Sequence, residues 1–164
     1  MVAALLAERW DLPRAKEKYR ARITEGRIRP GGPRVVLMTP LTYMNESGKS
    51  AGPARGSKKI PLGKVIAVYD EIDLPFGEIR TRLGGGAAGH NGIKSLKQGF
   101  GSPDFWRVRI GVDRPDSTDP ERVAAYVLGK FSESRPEVDG LIDDAARETE
   151  RLVEKLASGE TGEE

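Results

Sequence analysis

The chain has 164 residues, a formal net charge of +2, one histidine and no cysteine, which is the size of a single domain able to bury its own core. Without cysteine there are no disulfides, thiol nucleophiles or thiolate-bound zinc or iron–sulfur centres, and a reducing, cytoplasmic setting is expected. The charges are segregated, with 13 basic and 3 acidic residues from Arg14 to Lys64 against 3 basic and 10 acidic from Glu137 to Glu164; this predicts either a polyanion meeting the first half or two solvated surfaces of opposite sign.

In chain order, Val2 to Trp10 reads as an amphipathic helix. It has no basic leader and is broken by Glu8 and Arg9, so it fits neither a signal peptide nor a membrane span. β-Branched strands are expected at Arg34 to Met38, Lys64 to Tyr69, Glu78 to Leu83 and Phe105 to Val112. The second is apolar throughout, as a central strand covered on both faces would be. A helix after Asn45 is expected to be short or kinked because Gly52, Pro53 and Gly56 fall inside it. Further helices are expected at Ile93 to Gly99, Asp119 to Leu128 and Pro136 to Leu156. The last has Ser134 as its cap and Val138, Leu141, Ile142, Ala145, Leu152, Val153 and Leu156 at helical spacing. This alternation predicts an α/β fold: a single domain over 1–157 with a mixed, mostly parallel β-sheet flanked by helices on both faces, and a disordered acidic tail at 158–164.

Three places offer chemistry. Tyr43, Met44 and Asn45 lie at a strand-to-helix crossing, where Asn45 either caps the helix or uses its amide to hold a carbonyl or oxyanion, with Tyr43 and Met44 as a wall for a base or sugar. Tyr69-Asp70-Glu71-Ile72-Asp73 ends an apolar run in three carboxylates; Asp70 is either a strand-end acceptor or the group that orients a base. Residues 84–92 place five glycines around His90 and Asn91, a low-bulk surface open to close approach by a large substrate. His90 itself is equally readable as a turn histidine bonded to nearby backbone. The loop has neither a phosphate-loop nor a dinucleotide spacing, which makes a nucleotide-binding enzyme the weakest reading. Arg80, Arg82, Arg107 and Arg109 alternate on two strands and would form a phosphate fork. One histidine without Glu-x-x-His or His-x-x-x-His spacing argues against a metal, and no Gly-x-Ser-x-Gly elbow is present.

Together, Thr42-Tyr43-Met44-Asn45-x-Ser47-Gly48-Lys49, Tyr69-Asp70-Glu71-Ile72-Asp73-Leu74-Pro75-x-Gly77 and Leu83-Gly84-Gly85-Gly86-x-x-Gly89-His90-Asn91-Gly92 resemble the bacterial-type peptidyl-tRNA hydrolase family. Phe105-x-Arg107-x-Arg109-Ile110-Gly111-Val112 and Val127-Leu128-Gly129-Lys130-Phe131 extend the resemblance. It implies hydrolysis of the ester between a peptide and the terminal ribose of tRNA, releasing stalled peptidyl-tRNA for reuse in translation, with no metal or other cofactor. It also implies roles. Asn45 and Asn91 would contact the substrate, with Tyr43 and Met44 lining the same groove. Asp70 would orient the catalytic histidine and His90 would act as a helper, while Arg82 and Arg109 would take a tRNA phosphate. The family's general base is a histidine in a Thr-Arg-His-Asn-type segment ahead of the first helix. The sequence begins inside that helix, so this histidine and the first strand are expected to be missing. His90 is then the one candidate substitute base. The expected consequences are hydrolysis slowed by about 100- to 10,000-fold, unpaired strand edges, and self-association in place of a monomer. A catalytically silent tRNA- or RNA-binding protein is the competing expectation, and no membrane partner is expected.

Overall fold

The structure, a computed structural model, describes residues 2–42, 44–86, 90–112 and 135–159. Its elements are α1 (Val2–Arg9), β1 (Lys16–Lys18), β2 (Ala21–Arg27), β3 (Arg34–Pro40), a 3-10 turn (Met44–Glu46), α2 (Ser47–Lys58), β4 (Ile66–Glu71), β5 (Ile79–Leu83), α3 (Asn91–Phe100), β6 (Trp106–Gly111) and α4 (Arg135–Ala157). The helix expected at 119–128, the 127–131 block and the Ser134 cap lie outside the described residues. Ser158 and Gly159, expected to open the disordered tail, still form a turn on α4, where the Ser158 N–H donates to the Glu154 carbonyl at 3.0 Å.

The strands form two three-stranded sheets, ordered β1-β2-β3 and β4-β6-β5. The α/β class and the mixed pairing agree with expectation, but the predominance of parallel strands does not. Among the described residues only β4 and β6 run parallel, and the other pairings are antiparallel. Two of the antiparallel pairings come from β1 and β2, which were not foreseen, and the third joins β5 to β6. The hairpin segment Lys16-Glu17-Lys18 is wholly exposed and carries no apolar signal, and β2 reads as charged except for Ala21, Ile23 and Thr24, which are buried. A second correction concerns the centre of the sheet. The apolar β4 is an edge strand among the described residues, and β6 holds the middle, with Trp106, Arg107 and Val108 all buried.

Apolar burial sets the layers. Leu6 and Trp10 pack with Ile28 and Ala146 on one side of the first sheet, and Trp106, Val108 and Leu152 do the same for the second. Helix α4 therefore spans both sheets. Of the residues expected in its core stripe, Val138, Leu141, Ala145 and Leu152 are buried, and Arg9–Asp143 and Arg29–Glu154 ion pairs tie its acidic face to α1 and to the end of β2. The charge segregation along the sequence is thus partly spent within the fold.

Helices α2 and α3 cover the opposite side and pack on each other through glycine. A Cβ at Gly52 would come within 2.9 Å of the Gly99 carbonyl oxygen, and one at Gly99 within 2.5 Å of the Gly48 oxygen. These glycines do not shorten α2, which runs 12 residues through Pro53; they permit backbone-to-backbone contact. Glu46, the N-cap of α2, makes no side-chain cap. Ser95 of α3 substitutes for it, its Oγ accepting from the Gly48 N–H at 2.8 Å.

The edges of β3 and β4 share no ladder, yet they line the same two clefts. One, of about 410 Å³, opens on the α2–α3 side, and the other, of about 570 Å³, on the side of Trp10 and α4.

Candidate functional site

The cleft on the α2–α3 side is apolar along its floor, with Val36 and Met38 of β3, Ile66 and Val68 of β4, and Ile93 and Leu96 of α3. Its polar groups are Ser47, Arg55, Lys64, Tyr69, Asp70 and His90. Three elements deliver Ser47, Tyr69, Asp70 and His90. β4 ends at this point and brings Tyr69 and Asp70, the start of α2 brings Ser47, and the start of α3 brings His90, while the Met44–Glu46 turn that carries Asn45 packs on α3 without lining the cleft. An apolar trough with a few convergent polar groups is the usual form of a small-ligand or chain-end site.

Asn45 is exposed. It does not serve as a cap, because Glu46 occupies that position, and among the described residues its amide has no hydrogen-bond partner. His90 has a definite structural role. It is the N-cap of α3, its Nδ1 accepting from the Ile93 N–H at 3.2 Å. Its ring meets Tyr69 edge-on, with centroids 4.7 Å apart. Burial lowers its pKa from the ordinary 6.5, and the Asp70 carboxylate opposes that shift only in part. A neutral imidazole whose Nδ1 accepts a hydrogen bond carries its proton on Nε2, so the ring has no lone pair left to take a proton from water. Asp70 lines the cleft close enough for its charge to be felt at His90.

The four arginines share one face. Arg80 lies opposite Arg109, and Arg82 opposite Arg107, across the β5–β6 ladder. They do not act as one fork. Arg80 is paired with Glu78 at 2.9 Å. Arg107 is 2 % exposed and is consumed by backbone carbonyls, donating to Gly86 at 2.5 Å, Gly85 at 2.9 Å and Pro103 at 3.2 Å while stacking on Phe105. Desolvation lowers its pKa, and Tyr69 opposes the shift. Arg107 therefore fastens the glycine-rich segment to the sheet, a role that alternation along the strand could not distinguish from ligand binding. Arg82 and Arg109 are left without an ion pair among the described residues, and Arg109 Nε is buried with no hydrogen-bond partner. Like charges held across neighbouring strands repel one another, and an anion between them removes that cost.

A model of the family described as peptidyl-tRNA hydrolase matches residues 1–161. The chain belongs to the peptidyl-tRNA hydrolase family. The peptidyl-tRNA hydrolase of Streptomyces coelicolor is 44% identical over 158 residues, covering 93% of this chain and 78% of that protein. That of Mycobacterium avium is 44% identical over 157 residues, covering 94% and 80%. Among solved structures, the peptidyl-tRNA hydrolase of Acinetobacter baumannii superposes with a TM-score of 0.81 at 33% identity, covering 96% of this chain and 77% of that one.

Of the residues that the family resemblance marks, Asp70 and His90 line the cleft, Asn45 lies on the turn that packs against α3, and Arg82 and Arg109 lie on the sheet face from which Tyr69 reaches His90. Tyr43 and the side chains of Met44 and Asn91 lie outside the described residues. Sequence reasoning missed Tyr69 as part of the site and Ser95 as the group that caps α2. Tyr69 had a signal, an aromatic directly before Asp70 at a strand end. Ser95 had none, since its partner Gly48 is distant in sequence. Among the described residues no group of three His, Asp or Glu side chains gathers as a metal site, and no helix is long and apolar enough to cross a membrane.

Proposed function

We propose that this chain receives the acylated 3′ end of peptidyl-tRNA in the α2–α3 cleft and that, with His90 committed as a cap, it hydrolyses the ester slowly. The observation that carries this reading is the meeting of Asp70 and His90 at one cleft, with Asn45 on the turn that packs against α3, and the commitment of the chain's one imidazole as a helix cap. The amides of Asn45 and Asn91 hold the ester carbonyl and the terminal nucleotide, with Tyr43 and Met44 as the wall beside them. Arg82 and Arg109 take a backbone phosphate. Asp70 supports an imidazole base that none of these residues provides. The protein works in the cytoplasm, on a substrate made by the ribosome.

Losing a general base costs about 100- to 10,000-fold in rate. The test is release of N-acetylaminoacyl-tRNA by the purified chain, measured beside the Streptomyces coelicolor relative. The reading requires tRNA retention with release slower by about that factor. Release at the relative's rate, abolished by His90→Ala, would instead make His90 the base and overturn the assignment of a cap. The capping bond also favours a second reading, a tRNA-binding protein without hydrolysis, for which retention is seen and release never exceeds that in buffer.

A further inference from the structure

The basic excess of the first half is only partly used inside the fold. Arg29 pairs with Glu154 and Lys58 with Glu25, and Arg27 donates to the Gly32 carbonyl. Arg14, Lys16, Lys18, Arg20 and Arg22 are exposed and enter no ion pair among the described residues. All but Arg14 lie on the β1–β2 hairpin, far along the chain from Arg82 and Arg109.

The hairpin tip is strained. Lys18 pairs with Ala21, leaving a two-residue turn whose members, Tyr19 and Arg20, both have positive φ, at 55° and 56°. That geometry belongs to Asn-Gly or Gly-Gly turns, and larger side chains adopt it only when their surroundings hold them there. Here they do. The Tyr19 hydroxyl donates to Ser57 Oγ at 2.6 Å, Lys18 lies 5.1 Å over the Tyr19 ring, and the Arg20 carbonyl accepts from the Leu41 N–H at 2.8 Å. The last bond ties the tip to the segment that leads from β3 into Asn45. Lysine on an edge strand is commonly explained as a guard against stray strand pairing. That accounts for Lys16 and Lys18 but not for an arginine kept at a turn position that glycine would fill without strain.

We propose that the Tyr19–Arg20 tip, with Lys16, Lys18 and Arg22 beside it, is a second phosphate-contacting surface, one that grips the RNA backbone of the molecule whose 3′ end enters the cleft. The inference rests on the tRNA-binding reading above. Its partner is an RNA backbone because the exposed charges are basic except for Glu17, which lies opposite Arg22, and because Ala21 at the tip pairs with Pro40 of the cleft lining, whereas an apolar anchor for a protein partner is lacking on β1.

The probe is deacylated tRNA, with affinity measured by fluorescence anisotropy between 50 and 200 mM salt. Arg20→Gly relieves the turn while removing one charge; the melting temperature is expected to stay level or rise, affinity to fall roughly tenfold at 0.1 M salt, and the salt slope to drop by about 1. Arg20→Lys should restore binding. The quadruple variant K16Q/K18Q/R20Q/R22Q should lower the slope by about 3. Unchanged affinity and slope in the quadruple variant overturn the inference, including the case where that variant self-associates while its soluble fraction binds normally, which leaves the charges as edge protection alone. If Arg82→Gln with Arg109→Gln abolishes binding and the hairpin variants do not, the cleft reading stands and the hairpin surface falls. An unaltered chain that does not bind tRNA sinks both.

Discussion

Gly99→Ala and Gly56→Ala make the same chemical change in neighbouring helices and should act in opposite directions. At Gly99 the new methyl would meet the Gly48 oxygen, Cα and carbonyl carbon at 2.5, 2.7 and 2.8 Å, all backbone, where carbon contacts settle at about 3.5–4.0 Å. Neither partner can rotate away, so α2 and α3 must part by close to 1 Å. Overpacking of this kind costs about 1–3 kcal/mol. The same parting stretches the 2.8 Å bond from the Gly48 N–H to Ser95 Oγ, worth about 1 kcal/mol, and the gain from replacing a helical glycine offsets about as much. The net loss is about 2 kcal/mol, or roughly 4–8 °C in Tm for a chain of this size. At Gly56 a methyl meets nothing within 4 Å, and only the helix-propensity gain of about 0.5–1 kcal/mol remains. Thermal and urea unfolding of both variants beside the unaltered chain measure the contrast. Equal shifts for the two would refute the claim that glycine contact holds these helices together. Because Asn45 rides ahead of α2 and His90 begins α3, Gly99→Ala should also weaken retention of acylated tRNA, since a 1 Å misplacement is enough to impair a site.

Further outcomes follow from single groups. His90→Ala should lose about 0.5–2 kcal/mol of stability through the missing cap, whereas His90→Asn, itself a capping residue, should lose little; guanidinium unfolding separates them. Because burial holds His90 below 6.5, the unfolded chain takes up its proton first as pH falls, so stability should decline from about pH 6.5 down towards the depressed native value, a slope that His90→Asn removes. Glu71 is 7 % exposed, and desolvation, then Asp73, raise its pKa above 4.5; stability should fall as pH rises through that raised value, so Glu71→Gln should be more stable than the unaltered chain at pH 7 by thermal melting. Arg107→Met leaves the carbonyls of Gly85, Gly86 and Pro103 without their donor, a loss of about 3 kcal/mol or more, with faster amide exchange at Gly84 to Gly86 as its local signature.

Local pattern was enough for the elements whose burial follows a simple period. The apolar stripe of α4, the β-branched runs of β3, β4 and β6, and the three motif blocks that name the family could all be read directly, because side-chain spacing and turn chemistry are properties of neighbouring residues. What depended on distant partners could not. The β1–β2 hairpin has a polar sequence and is held by β3; the glycines of α2 look like helix breakers until α3 is laid against them; and Arg80, Arg82, Arg107 and Arg109 are identical in spacing until Glu78 and three carbonyls claim two of them. Residue type set which groups could do chemistry in this protein, but only the packed chain decided which were already occupied, since a hydrogen bond that uses up His90 Nδ1 or the Arg107 guanidinium exists only once the backbone that satisfies it has been brought alongside.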